Sequence, residues 1–132
     1  MEFYYKIYKS LEYLKKFKKI KEKLNMSILT KREIKKTIKE IVVSNPQLNI
    51  KKVKLFGSYA NDTADEKSDI NLAICEPKNI DVLSLYAFED IVKEKTKKEV
   101  HAIRIEDAKE ENKELYEKIV NEGVEIYASK SK

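Results

Sequence analysis

Only two glycines occur in this chain of 132 residues, and one of them, Gly57, stands beside Ser58 at the end of the run Val53, Leu55, Phe56. A short β-branched and aromatic run that stops at glycine marks a buried strand ending in a tight turn. Glycine is needed where the backbone bends sharply or must approach a ligand closely. A serine just after it can cap a helix or meet a phosphate beside exposed backbone N–H groups. Asp69 then opens a second strand-like run, Asp69-Ile70-Asn71-Leu72-Ala73-Ile74-Cys75. Side chains alternate along a strand, so Asp69 and Asn71 share one face and Ile70 and Leu72 the other. A third run, Glu99-Val100-His101-Ala102-Ile103, puts Glu99 and His101 on one face by the same rule. A Gly-Ser turn and polar strand faces thus come from neighbouring segments.

The elements that hold these residues follow from periodicity. Residues 1–25 read as an amphipathic helix, with Ile7, Leu11, Leu14, Phe17, Lys21 and Leu24 at three-to-four spacing and Tyr8 and Ile20 widening the stripe. Thr30 followed by Glu33 is a capping-box pattern opening a helix to about Val43, with Ile34, Ile38, Ile41 and Val42 inward. Asn45-Pro46 ends it. Glu76-Pro77-Lys78-Asn79 is a turn, and Asn79 or Asp81 can cap a helix over Val82–Lys95 that buries Leu85, Phe88, Ile91 and Val92. Lys93, Lys95, Lys97 and Lys98 cluster near its C-terminus, where cations suit the helix dipole. Val100, Ala102 and Ile103 mark a third strand, and Lys109 to Asn121 a last helix burying Leu115, Ile119 and Val120. Gly123 closes that helix before a short strand, Val124-Glu125-Ile126-Tyr127.

With those elements in view, the central stretch resembles the minimal nucleotidyltransferases of the polymerase-beta-like superfamily, the single-domain group found as antitoxins beside helical RNase toxins. That family carries Gly-Ser, a short spacer, then Asp-x-Asp. Here Gly57-Ser58 and Asp69-Ile70-Asn71 stand at that spacing, with Phe56 before, Tyr59-Ala60 after, and Ser68 preceding the aspartate. The resemblance spans about residues 28–128. It implies an α/β (α+β) nucleotidyltransferase fold, a small mixed sheet flanked by helices, over residues 26–132, with residues 1–25 as an extra N-terminal helical appendage. It also implies that Gly57 and Ser58, with Tyr59 beside them, hold a nucleoside triphosphate, ATP, and that Asp69 binds Mg2+, with Asn71, Glu99 or His101 completing a weakened metal site.

The departures from the family pattern bear on the same residues. The family's second aspartate is Asn71 here, its third falls at His101, and the usual arginine after Tyr-Ala is Asn61. Two-metal catalysis concentrates anionic oxygen ligands so that strongly hydrated magnesium ions give up part of their water. An amide keeps an oxygen but loses the charge, and imidazole offers a nitrogen that magnesium disfavours. Asp69, Asn71 and His101 therefore form a catalytic set of one carboxylate in place of three. Glu99 is either a substitute ligand or a solvated charge at a strand end. Asn71 is either a nucleotide contact or a satisfied polar residue, and His101 either a ligand or a hydrogen-bonded strand histidine.

Composition bounds the remainder. At 132 residues with 39% charged and 42% hydrophobic residues, the chain is one domain with enough apolar material for its own core. No apolar run approaches a membrane span and the charged N-terminus is unlike a signal peptide. The single cysteine, Cys75, excludes an intrachain disulfide and fits a cytoplasmic protein. Residues 1–54 hold 16 basic against 5 acidic residues, hence +11, and the remainder 12 against 18, hence −6. A basic half could meet nucleic acid or an acidic partner. Arginine is nearly absent, only Arg32 and Arg104, so bidentate readout of bases or phosphates is poorly supplied and nucleic acid is disfavoured.

Two functions are carried forward. One is transfer of AMP from ATP to a hydroxyl on a partner protein, with weak or lost catalysis. The other is a catalytically inactive pseudo-nucleotidyltransferase that neutralises a helical-bundle RNase-type toxin by contact, with the N-terminal helix available for homo- or hetero-oligomer formation.

Overall fold

The computed structural model describes residues 11–16, 19 and 29–130. Residues 11–16 are helical, with Leu11, Tyr13 and Leu14 exposed; the rest of the expected 1–25 helix lies outside the described residues.

Helix α1, Lys31–Ser44, begins at the capping box: Thr30 Oγ1 accepts from the Glu33 amide at 3.1 Å, and the Glu33 carboxylate reaches back to the Thr30 amide. Ile34, Ile38, Ile41 and Val42 form its buried stripe, as their spacing requires. It stops at Asn45, whose side chain caps the Ile41 carbonyl at 2.8 Å, and a 3-10 turn, Pro46–Leu48, leads into the sheet.

Four strands follow: β1, Lys52–Phe56; β2, Ile70–Glu76; β3, Val100–Arg104; and β4, Val124–Ala128. Their spatial order is β3-β2-β1-β4, with β1 antiparallel to both neighbours and β2 parallel to β3. The parallel pair is joined through helix α2, Val82–Thr96, capped by Asp81 on the Ser84 amide. Helices α3, Ile105–Glu111, and α4, Lys113–Glu122, precede β4.

The sheet is packed on both faces. On one, Ile70, Leu72 and Ile74 of β2, Val53 and Leu55 of β1, and Val100 and Ala102 of β3 meet α1 and α2 in a core that fully buries Phe88. On the other, Ala73, Phe56, Cys75 and Ile103 meet Ile105, Ala108, Leu115 and Ile119. Asn71 and His101 belong by alternation to this second face, toward the ends of their strands. Cys75 is half-buried there, and burial pushes its thiol above the ordinary value. Among the described residues no helix is long and apolar enough to cross a membrane.

The C-terminal helical region departs from the periodicity reading. The expected helix over Lys109–Asn121 is two helices broken at Asn112, whose backbone leaves the helical region (φ −147°) and whose side chain caps the second by accepting from the Leu115 amide at 3.1 Å. Asparagine can satisfy the backbone locally in this way, so it starts a helix more readily than it continues one. Ile119 is buried as expected, but Val120 is 48% exposed because α4 lies on the sheet by a single narrow stripe. Thr30→Ala should therefore lower stability by about 1 kcal/mol, as loss of an N-cap does. Val120→Ser should change it by no more than about 0.5 kcal/mol, both read from urea unfolding midpoints.

Candidate functional site

The site is assembled by strand register. In the β1/β2 pair Phe56 lies opposite Asn71, and in the β2/β3 pair Asn71 lies opposite His101. Gly57, the residue after Phe56, is thereby carried against the Asn71 side chain. A Cβ built on Gly57 would come within 2.8 Å of Asn71 Nδ2, and the glycine adopts φ +82°. Both the missing side chain and the left-handed backbone are thus used at this position.

After Gly57 the chain makes one tight turn. The amides of Ala60 and Asn61 donate to the Gly57 carbonyl at 3.0 and 3.1 Å, and Thr63 donates to the Ser58 carbonyl at 3.0 Å. The turn does not continue into a regular helix: Asp62 has φ +60°, which reverses the path. Lys31 of α1 holds that reversal through its ammonium, 3.2 Å from Asp62 Oδ2. Tyr59 is driven inward, 4% exposed, and its hydroxyl has no hydrogen-bond partner among the described residues. Burial and the nearby Asp65 and Asp69 carboxylates push its phenol above the usual value. A shallow cavity of about 480 Å³ opens here, lined by Thr30, Arg32, Tyr59, Asp62 and Ala64.

The segment between the turn and β2 is held from both ends. Asp65 accepts from the Lys67 amide at 2.9 Å and from Ser68 Oγ at 3.2 Å, bonds that hold its carboxyl below the ordinary range. Lys98, buried after α2, donates to the Glu66 carbonyl at 2.9 Å. That contact is a second reason for a lysine there, one the dipole argument did not supply. The Ile70 amide donates to the Glu99 carbonyl at 2.9 Å, which brings Asp69 alongside the start of β3.

Asp69 and His101 meet directly, Oδ2 to Nε2 at 3.2 Å, with the imidazole N–H donating to the carboxylate; the two side chains are 45% and 58% exposed. Gly57, Asn71, His101 and Asp69 are therefore brought together, and Tyr59 lies close enough for Asp69 to perturb it. Glu99 lies at the edge of the group, its carboxylate 70% exposed and 3.9 Å from Lys93 Nζ. Asp65, which no sequence motif singled out, joins Asp69 in acting on Tyr59. Its signal in the sequence was only the Asp-x-x-Ser turn pattern.

The donor set does not fit a two-cation centre. Among the described residues no three His, Cys, Asp or Glu side chains form a group that could hold a metal ion. The one carboxylate at the heart of the site already accepts a hydrogen bond from His101. At its centre one carboxylate, Asp69, meets an imidazole, with Asp65 and Glu99 further out, an arrangement suited to orienting hydrogen bonds rather than stripping water from magnesium.

Two outcomes follow. Gly57→Ala should cost about 1–2 kcal/mol from the backbone alone, plus the collision with Asn71. Gly57→Ala/Asn71→Ser should then lose less than the sum of its single changes in urea unfolding, since the second change relieves the collision. Tyr59→Phe should leave stability unchanged or raised at neutral pH, because an unsatisfied buried hydroxyl is removed. The phenol's folded pKa is raised, so its contribution is complete below the unfolded value near 10. It is lost as pH climbs through the folded one, so the native protein should fall in stability above pH 10 more steeply than Tyr59→Phe.

The profile of the polymerase beta nucleotidyltransferases matches residues 36–132. Curated protein sequences gave no match. Among solved structures the fold is similar to a toxin-antitoxin crystallised with AMP-PNP, at TM-score 0.59 and 18% identity over 73% of this chain and 74% of the other. It is also similar to the toxin-antitoxin MntA-HepT, at TM-score 0.52 and 15% identity over 72% and 70%. At such identities the likeness is one of fold. With the matched profile running from within α1 through β4, the chain belongs to the polymerase beta nucleotidyltransferase family.

Proposed function

We propose that this chain is a nucleotidyltransferase-like antitoxin that acts on a helical-bundle RNase-type toxin, and that its transfer of AMP from ATP is weak or lost. The reading rests on the line Gly57, Asn71, His101 with Asp69: the turn that would receive a triphosphate is kept, while one carboxylate stands where three would concentrate charge. The fold's similarity to toxin-antitoxin proteins, one of them with AMP-PNP, supports the antitoxin assignment. In this reading Gly57, Ser58 and Tyr59 receive the nucleotide. Asp69, Asn71 and His101 orient it by hydrogen bonds, and neutralisation of the toxin comes chiefly from contact. Residues 1–25 act as an appendage to the 26–132 domain and are available for docking; the exposed Leu11 and Leu14 favour this.

Phosphoryl-type transfer is almost entirely positioning and charge stabilisation. Two missing carboxylates at roughly 2 kcal/mol each put the native chain about a thousandfold below a three-carboxylate site. The test uses the purified protein, the product of the adjacent open reading frame, and ATP labelled on its α-phosphate. The complex should form without nucleotide and survive Asp69→Ala. Label transfer should be barely detectable in the native protein and should rise in Asn71→Asp/His101→Asp. Robust native transfer abolished by Asp69→Ala would overturn the weakened-site reading, and failure to bind the neighbour would overturn the antitoxin reading.

A further inference from the structure

The two edges of the sheet are finished differently. At the β3 edge the outward amide of Ala102 donates to Glu89 Oε2 of α2 at 2.9 Å, and Glu89 is in turn 3.5 Å from Lys93 Nζ. At that edge one outward amide is thus taken by a side chain from the helix beside it. At the other edge, among the described residues, β4 pairs with β1 alone, and a groove of about 420 Å³ runs between it and α1. Its floor is β4 itself, residues 125–128, and its far wall is Lys35, Lys39 and Val43, with Lys130 at the end. Val43 is 64% exposed. The groove's one carboxylate, Glu125, is already engaged by Lys52 at 3.4 Å. Lys35, Lys39 and Lys130 make no ion pair among the described residues, so the groove carries three uncompensated positive charges.

We propose that this groove is a docking site for an extended acidic polypeptide segment, which adds to β4 as a fifth strand. An open strand edge offers alternating N–H and C=O groups, and only another peptide backbone matches both. A nucleic acid would answer the lysines but supplies no donors in that register. The lysines also select among peptides. A second copy pairing its own β4 here would bring its own lysines against these, whereas glutamate or aspartate at alternate positions meets them with opposite charge. Val43 gives the intervening apolar side chains a surface. The site lies on the opposite side of the sheet's strand order from His101 and is independent of nucleotide chemistry at Asp69.

The test titrates the full chain at low ionic strength with a fluorescent, end-blocked heptapeptide of alternating valine and glutamate, read by anisotropy. Alongside it run the lysine-for-glutamate peptide, a backbone N-methylated glutamate peptide and a single-stranded oligonucleotide. The glutamate peptide should bind and protect β4 amides from hydrogen exchange. Lys35→Glu/Lys39→Glu should weaken it at least roughly tenfold. Both lysines are exposed, so this variant should keep the native circular dichroism and unfolding midpoint. N-methylation should abolish binding, because it removes the ladder while leaving every charge. Several results would overturn the proposal: no binding at millimolar peptide, equal binding of the lysine or N-methylated peptide, displacement by the oligonucleotide at lower concentration than by unlabelled peptide, or dimerisation through β4 that excludes the peptide.

Discussion

Strand register is the constraint on which the rest of this structure depends. Pairing Phe56 with Asn71 and Asn71 with His101 puts one residue from each of three strands in a row across the second face of the sheet. A slip of one residue in either pair would turn that row over to the opposite face and drag the apolar set with it. The register is held because Ile70, Leu72, Val53, Leu55 and Val100 are all fully buried on the first face. The polar row is thus positioned by hydrophobic packing on the far side of the same strands, and the turn at Gly57 is shaped by what the row contains. Glycine at φ +82° against the Asn71 amide is where core and site meet.

This arrangement lets the fold tolerate different residues at its centre. Three carboxylates side by side on neighbouring strands repel one another unless cations lie between them. With Asn71 in the middle position and His101 at the third, the repulsion is gone and Asp69 gains a hydrogen bond at 3.2 Å. The centre is then stable from its own residues. Under the proposed reading, the residues that dilute the charge at this centre are the same ones that relieve its repulsion, the ordinary opposition between active-site strain and folding.

Much of the scaffold was legible because local and tertiary preferences agree. Thr30 and Glu33 announce α1, and Ile34, Ile38, Ile41 and Val42 supply both its periodicity and its buried stripe. All four strands were visible from short apolar runs, and Gly57 from its scarcity and place. The misses fall where one residue's local hydrogen bonding outweighs periodicity. Asn112 divides what the apolar spacing joins into a single helix, and Asp62 ends a turn that Ser58 could have opened into one. The pairing of His101 with Asp69 could be placed on a shared face by alternation only once the parallel β2/β3 register was known. Sequence spacing carries no information on that register. Glu99 shows the same limit: alternation aligned it with His101, yet a lysine on α2 competes for its carboxylate.

The charge asymmetry of the chain acquires a spatial meaning from the sheet order. Basic residues concentrated in the first 54 positions include Lys35 and Lys39 of α1, and α1 is the helix that flanks β4. At the opposite edge a glutamate of α2 takes an outward amide of β3. An edge strand left open is a hazard, since any extended chain can add to it. One edge here has an outward amide taken by a helix glutamate, and the other is, among the described residues, open but charged, which under the proposal rejects like copies without rejecting every strand. A domain of this size has little surface to spare. The polar row lies at β2 and β3, and the outer edge of β4 lies beyond β1, so the two proposed sites are separated by the width of the sheet and a change at one need not disturb the other.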